Sequence, residues 1–111
     1  MSVLSALIIK EETRNRNMIA EYMRELETLP KGSIKQKRVN GNVYYYLVFR
    51  NGTKIVSKYI GKDDESVAII KEQILRRKQI EEIIKRLIEE KSQIEKMEAI
   101  LWFYITAAIL L

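Results

Sequence analysis

A run of basic residues and tyrosines in the middle of the chain has the residue types that bind polyanions. Residues 31–62 contain eight lysines and arginines and no aspartate or glutamate. The same segment holds four of the six tyrosines. Lysine and arginine contact phosphates and tyrosine rings stack on bases, so this combination is typical of a nucleic-acid-binding surface.

The distribution of charge supports this interpretation, and the composition removes several kinds of chemistry. Residues 1–30 carry a net charge of −1, residues 31–62 carry +8, and residues 63–111 carry −2. The chain has no cysteine and no histidine, which excludes disulfides, cysteine zinc sites and a histidine general base. The acidic run 63–65 is typical of a helix start rather than of a metal site. We therefore expect neither catalysis nor a cofactor.

Two Asn-Gly pairs indicate how this segment folds. Asn-Gly favours a type I′ turn, in which both central residues have positive φ, and so predicts a three-stranded antiparallel meander over 33–60. Centring the turns on Asn40-Gly41 and Asn51-Gly52 places Tyr44 opposite Tyr59. The predicted nucleic-acid-binding residues are Lys35, Lys37, Tyr44, Tyr46, Arg50, Lys54, Lys58 and Tyr59. Lys54 and Lys58 belong to the margin of the apolar face, and the others belong to the outward face.

Helical patterns precede and follow the meander. Residues 3–29 are predicted to form a helix that Pro30 ends, with a bend or fraying at 10–17, where no residue is apolar. A long coiled-coil-like helix is predicted over 64–98, capped by Asp63 or Asp64. The basic run 76–78 within it is either a solvated face or an extension of the phosphate-binding surface. The sequence thus predicts an α+β fold in a single domain, 1–111.

An apolar tail follows the long helix. Residues 99–111 carry no charge, but thirteen residues are fewer than the about 20 needed to cross a bilayer. We expect this tail and the long helix to form a homo-oligomer, with another protein or a membrane surface as the alternative partner. The predicted interface residues are Ile94, Met97, Leu101, Trp102, Phe103, Ile105 and Ile109.

Three short strings in the sequence resemble a known family. Leu29-Pro-Lys-Gly-Ser33, Tyr44-Tyr-Tyr-Leu47 and Ser57-Lys-Tyr-Ile-Gly-Lys62 resemble a family of short, uncharacterised bacterial and phage-associated proteins. In that family a helix, a meander and a charged coiled-coil helix follow in this order. The order of elements is also similar to the N-terminal arm-binding domains of tyrosine recombinases and to transposase N-terminal segments. That likeness implies a three-stranded sheet that enters DNA.

These patterns lead to one functional expectation and one alternative. We expect a non-enzymatic accessory or regulatory protein that binds nucleic acid, DNA rather than RNA, through the outward face of the sheet. The alternative is a protein-interaction module, such as a phage-type inhibitor or scaffold, that acts through the coiled coil and the tail. Residues 1–9 lack the basic start and cleavage site of a signal peptide, so we expect a cytoplasmic location.

Overall fold

The computed structural model describes residues 2–62 and 64–110 and confirms the predicted α+β fold. The elements in chain order are α1 (Val3–Glu27), β1 (Ser33–Val39), β2 (Asn42–Asn51), β3 (Lys54–Gly61) and α2 (Asp64–Leu110). They form two compact units. The helical unit contains the residues up to Glu25 and from Glu81 onward, and the sheet unit is Leu26–Ile80. Asp63, one of the two predicted caps of α2, lies outside the described residues.

The ends of α1 follow from local chemistry. The Ser2 hydroxyl accepts a hydrogen bond from the backbone N–H of Ser5 at 3.1 Å and so caps the first turn. The helix ends at Glu27, two residues before the predicted end at Leu29. Pro30 disfavours the helical conformation of the residue before it, and this restriction agrees with the early end.

The predicted bend at 10–17 is wrong, because α1 continues through this polar stretch. Asn15 is buried there, and its Nδ2 donates a hydrogen bond to the backbone oxygen of Leu87 at 2.8 Å. Arg14 forms an ion pair with Glu90, with 2.6 Å between Nη2 and Oε1. Polar contacts with α2 therefore replace the missing apolar stripe within the helical unit.

The second helix is longer than predicted. It continues beyond residue 98 to Leu110, so the apolar segment is helical throughout its described part. This segment has neither glycine nor proline to end a helix. No helix within residues 2–62 and 64–110 has a stretch long and apolar enough to cross a membrane.

The core of the helical unit is aliphatic and has an acidic cluster beside it. Its buried residues are Ile8, Ile84, Leu87 and Ile94. A hydrogen bond with the Glu12 side chain raises the pKa of the Glu98 carboxyl. Desolvation and the negative charges of Glu12 and Glu95 raise it further. Glu98 therefore binds its proton more tightly than an isolated carboxyl does.

In the sheet unit, the first hairpin agrees with its prediction. β1 and β2 pair antiparallel, and Val39 lies opposite Asn42 across the turn. Asn40 has a φ of 52° and Gly41 a φ of 79°, as a type I′ turn requires. The Asn-Gly signal therefore gives the correct register here.

The second hairpin is centred one residue later than predicted. Asn51 lies opposite Lys54, so the central residues are Gly52 and Thr53 instead of Asn51 and Gly52. Gly52 has a φ of 63°, but Thr53 does not have a positive φ. Positive φ at the first central residue alone is the type II′ pattern. The predicted type I′ turn at Asn51-Gly52 is thus wrong, and partners on β3 shift by two residues.

Arg77 closes the C-terminal end of α1 within the sheet unit. Its Nη1 donates hydrogen bonds to the backbone oxygens of Leu26 at 2.8 Å and Leu29 at 2.9 Å. The last carbonyls of a helix have no helical N–H to accept from, and a guanidinium can satisfy them. The sequence predicts that the basic run 76–78 is either a solvated face or an extension of the phosphate-binding surface. The contact of Arg77 is neither of these, because it holds backbone carbonyls of the fold.

Candidate nucleic-acid interface

The outer face of the sheet, defined as the side opposite the buried Leu47, carries the tyrosines and several cations. Side chains alternate along a strand, so residues directly opposite each other across a ladder share a face. One row across the three strands reads Lys35, Tyr46 and Tyr59. In the next row, Lys37 lies opposite Tyr44. Two lysines of β1 thus flank the tyrosines on one side.

The three tyrosines of this face form an aromatic cluster around Tyr59. The Tyr46 and Tyr59 ring centroids are 5.6 Å apart in an edge-to-face arrangement, and those of Tyr44 and Tyr59 are 6.3 Å apart and tilted. The predicted direct pair of Tyr44 with Tyr59 is wrong, because the shifted turn makes Tyr46 the direct partner. The cluster itself still forms, since diagonal neighbours in a sheet lie within reach of aromatic side chains.

The geometry of the cluster gives its members different roles. The rings are inclined to one another by 53° and 63°, so they do not offer one flat platform. Tyr59 is 53 % exposed, whereas Tyr44 and Tyr46 are half-buried. Tyr59 is therefore the ring with the most surface open to a stacking partner, and the other two rings pack against it.

Lys62 belongs to this surface although the prediction did not include it. Its Nζ lies 5.7 Å from the centroid of the Tyr44 ring, within the range of a cation–π contact. The predicted register did not bring these residues together. In the structure Tyr46 pairs with Tyr59 while Tyr45 pairs with Gly61, so β3 has one extra residue, Ile60. This bulge places Lys62 on the outer face, beside Tyr44.

The remaining predicted cations divide between the two faces. Arg50 lies on the outer face, opposite Ile55 and near the turn. Lys58 lies opposite Leu47 and Lys54 opposite Asn51, so both belong to the other face, although their side chains are exposed. The structure therefore brings Lys35, Lys37 and Lys62 close to the tyrosine cluster. It places Arg50 at the far end of β2 and separates Lys54 and Lys58 from them.

Among the described residues, carboxylates do not pair with the cations of this surface. Within residues 2–62 and 64–110, no carboxylate oxygen lies within 4.0 Å of a basic nitrogen on the outer face. Across the same residues, no group of three or more carboxylates is arranged to hold a metal ion. The surface thus offers positively charged hydrogen-bond donors, which suit phosphate contacts, and one exposed aromatic ring, which suits a base contact.

Comparison with known proteins assigns the chain to a family. Neither the curated proteins nor the solved structures include a match. The family model described as "Domain of unknown function (DUF6788)" matches residues 8–68, which is more than half of the chain. The match covers most of α1, all three strands and the start of α2. The protein therefore belongs to the DUF6788 family.

Proposed function

We propose that this protein binds nucleic acid, DNA in preference to RNA, through the outer face of its sheet. It would act as a non-enzymatic accessory or regulatory protein of the cytoplasm, in the phage-associated setting that the sequence resemblance implies. The observation that carries the proposal is the grouping of Lys35, Lys37 and Lys62 around the tyrosine cluster, with no carboxylate oxygen of residues 2–62 and 64–110 within 4.0 Å of their nitrogens. The similarity to recombinase arm-binding domains agrees with this mode of binding, as an analogy of topology only.

Electrostatics would supply most of the affinity. Four cations lie on or beside the outer face: Lys35, Lys37, Arg50 and Lys62. If each neutralises one phosphate, the logarithm of the association constant falls with the logarithm of salt concentration with a slope of about −3 to −4. Raising the salt from about 50 to 200 mM then weakens binding about 100-fold.

The test is a fluorescence-anisotropy titration of labelled duplex DNA, single-stranded DNA and RNA at these salt concentrations. The double variant Lys35→Gln with Lys37→Gln should weaken binding about 10-fold or more and make the salt slope shallower by about 2. The matched control, Lys54→Gln with Lys58→Gln, removes the same charge from the other face and should leave the slope nearly unchanged. Equal effects of the two pairs would contradict the assignment to the outer face. An affinity weaker than about 10⁻⁴ M at low salt would refute nucleic-acid binding altogether.

Stacking is tested separately through Tyr59. The variant Tyr59→Ala removes the exposed ring while keeping every cation, so the salt slope should not change. A stacked base contributes about 1–3 kcal/mol, so single-stranded binding should weaken between about 5-fold and 150-fold. An unchanged affinity for single strands would exclude base stacking on Tyr59 and leave phosphate contacts as the mode of binding.

A second candidate function is a protein-interaction module, which the exposed apolar part of α2 favours. Trp102, Phe103 and Tyr104 are each at least two-thirds exposed. This surface belongs to the helical unit, whereas the proposed nucleic-acid interface lies in the sheet unit. The two functions are therefore compatible, and one partner of the helical unit can be specified further.

A further inference from the structure

A stripe of alternating small and large residues runs along α2 beyond its buried seam. Ala99, Trp102, Thr106 and Ile109 follow at spacings of three and four, so they share one side of the helix. The first three of these residues line a shallow groove together with Glu95 and Glu98. Leu101 and Tyr104 line a different groove, with Leu4 and Ile8 of α1. The stripe thus lies on a different side of α2 from Leu101 and Tyr104.

The large side chains of the stripe are apolar but strongly exposed. Trp102 is 70 % exposed and Ile109 is 78 % exposed. Phe103 lines the same groove and is 69 % exposed. An aromatic side chain buries about 150–250 Å², so Trp102 and Phe103 together expose about 200–350 Å². This area is comparable with the largest apolar patch of a typical monomer, about 300–600 Å². It is smaller than the about 800 Å² that each partner contributes to a standard interface, as in a weak, reversible dimer.

We propose that this stripe binds the same stripe of a second copy of the chain, with the two helices antiparallel. A two-fold axis at the level of Tyr104 places Trp102 of one copy over Thr106 of the other. It also places Ala99 over Ile109. Each large side chain then meets a small one, which is how packed helices interdigitate. This match of the stripe with its own reverse is the reason for choosing a second copy as the occupant.

Polar groups do not oppose this contact. The Thr106 hydroxyl donates its proton to the backbone oxygen of Trp102 at 2.8 Å. Its lone pairs remain available to accept the indole N–H of the second copy. Residues 99–110 carry no charge, so the four residues of the stripe meet no charged partner, and Glu98, which also lines the groove, lies level with Leu110 of the second copy.

Other occupants fit the stripe less well. An interfacial membrane helix combines its apolar side with lysine and arginine, which attract anionic lipid. Here the charged residues that continue the stripe are Glu95 and Glu98, which anionic lipid would repel. Of the interface residues predicted from sequence, Ile94 is buried in the core of the helical unit and is not part of this contact.

The first test measures the mass of the full chain by analytical ultracentrifugation from about 1 to 100 µM, a range that covers ordinary dimer affinities. We expect twice the monomer mass of 13.1 kDa. Ala99→Glu places a charge in the contact and should weaken dimerisation about 30-fold or more. Its control, Ala108→Glu, places the same charge on another side of the same helix, at an exposed alanine, and should have little effect. A monomeric wild type, or a dimer insensitive to Ala99→Glu, would overturn the proposal.

A size exchange then tests the antiparallel register. Ala99→Ile places an isoleucine opposite Ile109 of the second copy, and Ile109→Ala places an alanine opposite Ala99. Each single variant should therefore weaken the dimer. The double variant restores one large and one small residue at each contact and should recover most of the affinity. Failure of this rescue would overturn the register. A monomer that floats with phosphatidylglycerol vesicles would overturn the second copy as occupant and assign the stripe to lipid.

Discussion

Gly32 lies where the chain has no room for a side chain. Its φ is +123°, and a Cβ built there would lie 2.3 Å from the backbone oxygen of Val48 and 2.9 Å from the Cβ of Phe49. The obstructing oxygen belongs to β2, the central strand. Residue 33, immediately after the glycine, pairs with Val48. Moving this oxygen away would therefore disturb the first pair of the β1–β2 ladder.

We predict that Gly32→Ala destabilises the sheet unit by about 3 kcal/mol. A non-glycine residue in a sparsely populated φ region costs about 1–3 kcal/mol, and forcing extra volume into a packed site costs about 1–3 kcal/mol. The smaller entropy of the unfolded alanine chain returns about 0.4–1 kcal/mol. Because β1 carries Lys35 and Lys37, the same variant should also weaken any binding at the outer face.

The matched control is Gly41→Ala. Gly41 also has a positive φ, +79°, but nothing lies within 4 Å of the position that its Cβ would occupy. Its substitution should cost only the backbone strain, about 1–2 kcal/mol. Urea unfolding followed by the near-ultraviolet circular dichroism of the tyrosines reports on the sheet, which carries four of the six. If Gly32→Ala costs no more than Gly41→Ala, the close approach to Val48 does not limit this position.

Two further predictions concern Arg77 and Glu98. Arg77→Met should destabilise the sheet unit by about 1–3 kcal/mol in urea unfolding, because the Leu29 carbonyl loses the guanidinium donor and the Leu26 carbonyl keeps only the Leu29 N–H. No loss of stability would mean that water satisfies them equally well. The pKa of Glu98 is raised in the folded state. Its contribution to stability is therefore greatest below the unfolded carboxyl pKa of about 4.3, and this contribution is lost as the pH rises through the folded-state pKa. Glu98→Gln should therefore raise the melting temperature at pH 7 and have little effect near pH 4, and an equal change at both pH values would contradict this linkage.

The order and type of the elements could be predicted from sequence because their signals are local. Asn40-Gly41 has one favourable turn geometry, and the seven-residue recurrence of Ile80, Leu87 and Ile94 marks the buried side of α2. The contacts that were missed join residues far apart in the chain. Asn15 resembles a solvated helix residue until Leu87 is placed beside it, and nothing near Arg77 indicates that it caps the end of α1.

The outer face shows which parts of a site tolerate an error in register. Centring the second turn one residue later shifts the partners on β3 by two residues, which equals the repeat of side-chain direction in a strand. The side chains of β3 up to Tyr59 therefore keep their predicted face, and the separation of Lys35 and Lys37 from Lys54 and Lys58 survives. The contacts within the face do not survive, because Tyr46 replaces Tyr44 as the partner of Tyr59 and the bulge brings Lys62 to Tyr44.

This difference determines how the proposed function should be judged. Phosphate binding depends on which face carries the charge, a property that a two-residue shift of the register leaves unchanged. Base stacking depends on the inclination and exposure of individual rings, and these narrow the role from three tyrosines to Tyr59. Suppose that the Lys35 and Lys37 variant has a shallower salt slope and that Tyr59→Ala has no effect. This result would support phosphate binding at the outer face and contradict base stacking on Tyr59. The opposite result would indicate recognition of exposed bases with little contribution from these two lysines.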